Sequence, residues 1–377
     1  MTENHSKIHR EAFLADLHCD TMILMRRGYD ISKRHTEFHV DIPRLTDGGV
    51  NLVVFASLSP LDKAFEPFET VTDAVKFLNK QFDARSDKIE ICRSADDAER
   101  IHDDGKISAL LSIEGGNCLN GSPESLAHFH DLGVRLITIA HSIPTGWCSH
   151  CYEKDTPFDG LSETGVEIIK EMNRLGMIVD LSHSSDDTFD AVMETSSAPV
   201  IASHSNARAL CPSPRNLTDK QIVRIAERGG MVGVTFVSMF LETSFYRAAD
   251  DGWSAIPEDI RREYDNITTN AIPEDEVKRR LAELEKYFGP PGEKLEKIRP
   301  PLSVVVDHID HMVKLTGVDH VGLGSDFDGM AFPPHGLDDC SGFPGITAEL
   351  INRGYRDDDI RKILGGNFLR IFREICG

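Results

Sequence analysis

In the stretch A-F-L-A-D-L-H-C-D, residues 12–20, His18 and Asp20 stand two positions apart at the end of an apolar run. A neutral imidazole and a carboxylate are both ordinary ligands for a divalent metal, so the pair reads as half of a metal site. Alternate residues of a strand share a face and lie roughly 6.6 Å apart along it, which points His18 and Asp20 together and Cys19 away. A plainer alternative is a His and an Asp paired at a sheet edge. What separates the two readings is whether other strands end in the same way, and several do. L-L-S-I-E-G-G brings Glu114 to a strand end, followed by two glycines that permit close approach. I-T-I-A-H, I-V-D-L-S-H and V-I-A-S-H end in His141, His183 and His204, and V-G-L-G-S-D-F-D-G ends in Asp326, with Asp328 two residues on.

His18, Asp20, Glu114, His183 and His204 together exceed the three protein ligands that a catalytic zinc commonly keeps. They suit two ions sharing a carboxylate. Two ions about 3.5 to 4 Å apart can hold a hydroxide between them and stabilise both its attack and the departure of a leaving group. Asp326 is then left free as a proton shuttle. Other candidates read less chemically: His308 and His311 fall on a helix, where a solvated face is expected. Cys148 and Cys151 of W-C-S-H-C have no second such pair, so they read as reduced loop thiols and not as a zinc knuckle.

The elements that must position these residues follow from the hydrophobic pattern. Short aliphatic or β-branched runs recur at 13–20, 51–58, 107–114, 135–141, 177–183, 200–204, 231–236 and 320–326. Helical stretches such as 70–85, 164–175, 219–228 and 304–316 separate them, the signature of βα units with a parallel sheet. Eight alternations predict an α/β protein with a (β/α)8 TIM-type barrel, whose C-terminal strand ends carry the chemistry. A chain of 377 residues with 40% hydrophobic content can form that barrel as one domain, 1–377. Residues 240–302, charged and Pro-containing, break the rhythm as an insertion after the seventh strand. Their place on the catalytic face fits a lid, an interface element or a plain surface excursion.

A net charge of −21 argues against nucleic acid and anionic membrane surfaces as partners. No apolar run reaches 18 residues and the first ten residues lack the apolar core of a signal peptide, so the expected location is the cytoplasm.

The motifs D-L-H-C-D-T, S-I-E-G-G, L-I-T-I-A-H, G-L-S-E-T-G with E-M-N-R-L-G-M-I-V-D-L-S-H-S, A-S-H-S-N-A-R, C-P-S-P-R-N-L-T-D and V-G-L-G-S-D-F-D-G jointly resemble the renal, or membrane, dipeptidase family. The likeness runs from the first strand to N-F-L-R-I-F, apart from residues 240–302. It implies a zinc-dependent dipeptidase of the amidohydrolase superfamily with two zinc ions per subunit: His18 and Asp20 on one, His183 and His204 on the other, Glu114 bridging. It also implies His141 at the oxygen of the scissile bond, Arg215 at the substrate's terminal carboxylate and Asp326 in proton transfer. A dipeptide, including one with a C-terminal D-residue, would be the substrate, and a homodimer the assembly. Leu17 and Cys19 depart from the Gly and Asn common in the first motif, and L-S-E-T-G departs from a more usual L-T-x-F-G, so Glu163 could change substrate preference. Membrane attachment is not carried over. The competing reading is another metal-dependent hydrolase on the same barrel, acting on a non-peptide amide, ester or lactone, since fold does not fix function. Such relatives often bridge their metals with a carboxylated lysine at strand four, where this chain has His141.

Overall fold

The computed structural model describes residues 3–60, 66–153, 157–254 and 291–377, with isolated positions between 260 and 283. Among the described residues nine parallel strands occur: β1 (Ala15–Cys19), β2 (Leu52–Leu58), β3 (Ile89–Ile91), β4 (Ile107–Glu114), β5 (Val134–Thr138), β6 (Ile178–Asp180), β7 (Val200–Ala202), β8 (Met231–Val234) and β9 (Val321–Leu323). Eight of them close a ring. β2 pairs with β1 on one side and with β4 on the other, from Leu52↔Ser108 to Leu58↔Glu114, and β9 returns to β1 through Asp16↔Leu323. The result is the expected (β/α)8 barrel. The extra strand, β3, pairs with Ile107–Ala109 at the start of β4, on the edge that β5 occupies further along from Leu111.

Strands covered on both faces must be apolar throughout, and the core divides accordingly. Leu17, Val54, Leu110, Leu136, Ile178, Ile201 and Met231, from seven barrel strands, pack in one cluster with Phe368 and Phe372 of the C-terminal helix Asn367–Cys376. β9 contributes Gly322 there because a Cβ would come within 2.3 Å of the Met231 methyl. The C-terminal helix closes the ring at the strand starts: Asn367 Nδ2 donates to the Val321 carbonyl and Arg370 to that of Gly229, just before β8. With that end plugged, chemistry is left to the opposite rim. Alternate residues such as Val53 and Phe55 join the larger outer cluster, with Phe55 4.9 Å from Phe82 of helix Pro67–Asp83.

Two local expectations change. His308, on helix Ser303–Thr316, is fully buried, not solvated: Nδ1 accepts from the Ala207 N–H at 3.0 Å and Nε2 lies 3.0 Å from the Leu241 carbonyl. Both ring nitrogens find backbone partners, which is what makes a buried imidazole tolerable, and burial pushes its pKa down to about 4. His311 is half-buried, its Nε2 2.8 Å from Asp219. Within 240–302, helices Thr243–Ser254 and Pro291–Lys297 are seen, and Arg27 donates to the Ile267 carbonyl. Most of 255–290, and with it the lid or interface expectation, lies outside the described residues.

Candidate active site

Each chemistry-bearing side chain sits where its strand leaves the ladder. Glu114 is the last residue of β4, in register with Leu58 of β2 and Thr138 of β5. His141, His183, His204 and Asp326 follow β5, β6, β7 and β9 by two or three residues. The backbone there is unusual: His183 and Asp326 have φ of 67° and 66°, the left-handed region that a non-glycine residue enters at a cost of roughly 1–3 kcal/mol. On β1 the register slips between Asp16 and Cys19, a bulge that breaks the strict alternation expected for His18 and Asp20. Both still reach the site. Cys19 is packed in the outer cluster, away from it.

The two oxygens of Glu114 face different groups. Oε1 lies 3.1 Å from His183 Nε2, 3.4 Å from His204 Nε2 and 3.9 Å from His141 Nε2. Oε2 lies 3.6 Å from His18 Nε2, which is 3.7 Å from Asp20 Oδ1. The His183 and His204 Nε2 atoms approach to 3.1 Å, and the His18 and His204 rings stack at 3.7 Å. Asp326 joins His18 and Asp20 in a third overlapping set of donor atoms, each set within 4.8 Å. Gly329 makes room for that set, since a Cβ there would stand 2.2 Å from Asp20 Oδ2 and 2.4 Å from Asp326 Oδ1. All five candidate ligands thus gather on one patch of the rim, linked through Glu114 and His18.

This donor set fits metal ions. Both ring nitrogens of His18, Asp20 Oδ1 and His141 Nδ1 are buried without a hydrogen-bond partner, a cost that bound cations remove. Burial lowers the pKa of His183, assisted by the charges of Arg215 and His141; at His204 burial is assisted by His18 and Arg215. Both imidazoles are therefore neutral, as ligation requires. At His18, burial is outweighed by Glu114 and Asp20, which hold its pKa well above the ordinary value. At Glu114 burial is likewise outweighed, by His141 and His18, so the carboxylate stays ionised. Burial raises Asp20, as does the neighbouring Glu114.

Residues 2–376 match the profile of the family described as "Membrane dipeptidase (Peptidase family M19)". The chain belongs to this family. Dipeptidase tcpJ of Claviceps purpurea is 30% identical over 376 residues, 96% of this chain and 76% of the relative. Dipeptidase aclJ of Aspergillus oryzae is 31% identical over 353 residues, 90% and 71% respectively. The crystal structure of the metallo peptidase "dipeptidase AC" superposes with a TM-score of 0.77 at 27% identity, covering 97% of this chain and 99% of that one. The metallo peptidase from Rhodobacter sphaeroides liganded with a phosphinate mimic of the dipeptide L-Ala-D-Ala gives 0.76 at 27% identity, covering 97% and 99%. As a membrane dipeptidase family member the protein is a metallopeptidase, a hydrolase acting on peptide bonds. Among the described residues no helix is long and apolar enough to cross a membrane.

The remaining expected residues of the membrane dipeptidase site are close by. Arg215 is buried, donating from Nη1 to Ser205 Oγ and from Nη2 to the His204 carbonyl, both at 2.8 Å, while its Nε has no partner. Its guanidinium carbon lies 5.7 Å from the Phe240 ring centroid. Asp326 is buried, and burial with the charges of Asp20 and Glu114 drives its carboxyl well above the usual range. The W-C-S-H-C loop holds free thiols: Cys148 donates to the Ile139 carbonyl, and the Cys151 N–H to that of His183. Sequence reasoning passed over Asp16 and Asp180, both fully buried beside the centre. Their signal was a carboxylate inside an otherwise apolar strand, which burial makes costly without partners.

Proposed function

We propose that this chain hydrolyses free dipeptides, including those with a C-terminal D-residue, using two zinc ions per subunit held by His18, Asp20, Glu114, His183 and His204. The observation that carries this reading is Glu114, whose Oε1 faces His183 and His204 while its Oε2 faces His18, as a shared carboxylate would. When bound, such ions lower the pKa of water toward neutrality and polarise the scissile carbonyl. His141, with a free buried Nδ1 and its Nε2 near Glu114, is placed to stabilise the charge that develops on the carbonyl oxygen. Asp326, whose raised pKa suits a group that both takes up and returns a proton, carries the nucleophile's proton to the leaving amine. Arg215 cannot swing away, being tied to Ser205 and the His204 carbonyl, and it offers Nε to the substrate's terminal carboxylate.

The stereochemical part draws support from the L-Ala-D-Ala mimic carried by the Rhodobacter sphaeroides peptidase. Eight cysteines without a disulfide support the cytoplasm as the location, to be checked by cell fractionation. A panel of L,L and L,D dipeptides, assayed with and without added zinc, tests the function. Zinc-dependent release of free amino acids from both classes is expected. A zinc-saturated protein that cleaves neither would overturn the proposal.

A further inference from the structure

Two buried aspartates without a part in the chemistry above occupy equivalent places in the barrel. Asp16 of β1 is in register with Leu323 of β9, and Asp180 of β6 with Ile201 of β7. Two residues along each partner strand comes a serine, and the residue after that serine belongs to the active site. In the first copy Asp16 Oδ1 accepts the Ser325 N–H at 2.7 Å and Oδ2 the Ser325 hydroxyl at 2.6 Å, just before Asp326. In the second, Asp180 Oδ1 accepts the Ser203 N–H at 2.8 Å and Oδ2 the Ser203 hydroxyl at 2.5 Å, just before His204.

We propose that Asp16 and Asp180 are positioning residues for the peptidase reaction, forming a duplicated carboxylate–serine clamp in which one copy aims His204 and the other fixes Asp326. A carboxylate inside a barrel is an expensive way to join two strands, because an apolar pair would hold them without desolvating a charge. Direction is what the carboxylate adds. The Ser203 hydroxyl spends its one proton on Asp180, so toward His204 Nδ1, 2.7 Å away, it can only accept. The His204 proton is thereby fixed on Nδ1, and Nε2 faces Glu114 with its lone pair bare. Thr138 Oγ1, at 2.6 Å, and the Ser182 N–H, at 3.0 Å, complete the donors around Asp180 and keep it from turning.

The first copy works on backbone instead. The Ser325 hydroxyl lies 3.2 Å from the His18 carbonyl and accepts the Phe327 N–H at 3.1 Å, while the Asp326 N–H donates to the same His18 carbonyl at 3.1 Å. These bonds bracket Asp326 on both sides and over-determine its left-handed conformation, without which the strain at φ 66° would relax. The two clamps should therefore fail differently.

The His204 half rests on the metal reading above, and zinc affinity measured by chelator competition, alongside kcat and KM, separates the two claims. Ser203→Ala is expected to weaken zinc binding about 10- to 100-fold, the scale for partners that orient a metal ligand. Asp180→Asn should do the same, and the double variant should lose no more than either alone, since both act along one path. Ser325→Ala should keep wild-type zinc affinity and KM while kcat falls about tenfold to a hundredfold, as for a misplaced reacting group. Melting curves of the metal-free proteins establish that each variant folds, and Ser203→Ala carries the test if Asp180→Asn does not. Wild-type zinc affinity in folded Ser203→Ala, or zinc loss in Ser325→Ala equal to that in Ser203→Ala, would overturn the clamp. Wild-type protein that takes up no zinc would overturn the metal reading, and the His204 half with it.

Discussion

The two halves of the candidate metal centre meet at Glu114 yet differ in charge. On the Oε2 side, His18 lies among Asp20, Asp326 and Glu114 itself, and the carboxylates hold its pKa up against burial. On the Oε1 side, His183 and His204 stand together with the Arg215 guanidinium bonded to the His204 carbonyl, and burial and neighbouring cations push both imidazoles down. The same geometric role is thus built from opposite electrostatics. A half built on carboxylates attracts a cation more strongly than one built on imidazoles beside a fixed guanidinium. On the two-ion reading proposed above, the His18–Asp20 half is expected to hold its ion first and longest, and the His183–His204 half to keep a positive neighbour free for an anionic substrate.

The largest test removes what the halves share. Glu114→Gln takes away a carboxylate that faces both groups of imidazoles and leaves an amide that serves neither well. Loss of one ion costs several kcal/mol of charge stabilisation, so kcat/KM should fall by about a thousandfold or more. Metal analysis should find close to one zinc per chain, retained on the His18–Asp20 side. Two zincs at wild-type affinity would show that Glu114 does not bridge.

The next test separates proton transfer from metal binding within the anionic half. Asp326 lies in a donor set with His18 and Asp20, so its proximity alone would equally suit a ligand. Asp326→Asn is expected to keep near-normal zinc content and lose about a hundredfold in kcat, within the range for general acid–base groups. Parallel loss of zinc would reassign the residue to the metal.

How much of this was legible in the sequence follows from the range of the interactions. The eight barrel strands could be read because each is a short aliphatic run whose pattern is local, and the ligands because each follows such a run. β3 could not, since I-E-I carries a charge at its centre, is flanked by D-K and C-R, and pairs only with the start of β4. The β1 bulge was equally hidden: alternation is a property of a regular strand, and the slip between Asp16 and Cys19 is visible only against β2. His308 looked like a helix-surface residue until Ala207 and Leu241, far away in sequence, were found at its two nitrogens. The clamps needed two registers at once, Asp16↔Leu323 and Asp180↔Ile201. Identity of residues at strand ends is local information; which strand lies beside which is not.

The smallest expected effect bears on the cationic neighbour of the imidazole half. Two prolines stiffen C-P-S-P-R-N, and its Arg could have been one more surface cation on an acidic chain, whose pairings are worth under about 1 kcal/mol. In the structure Arg215 is instead buried, with two of its nitrogens committed to Ser205 and the His204 carbonyl and Nε left over. A buried, charge-assisted contact to a substrate carboxylate costs about 2–5 kcal/mol when one partner is removed. At 1.4 kcal/mol per factor of ten, Arg215→Ala should cut kcat/KM for free dipeptides at least about thirtyfold. Dipeptide amides, which lack that carboxylate, should lose far less. The same variant sharpens the contrast between the halves, because removing a cation beside His183 and His204 takes away only repulsion toward the second ion, and zinc affinity should hold or rise. Equal losses on acids and amides would show that Arg215 does not read the carboxylate. A fall in zinc affinity would show that its bond to the His204 carbonyl matters more than its charge.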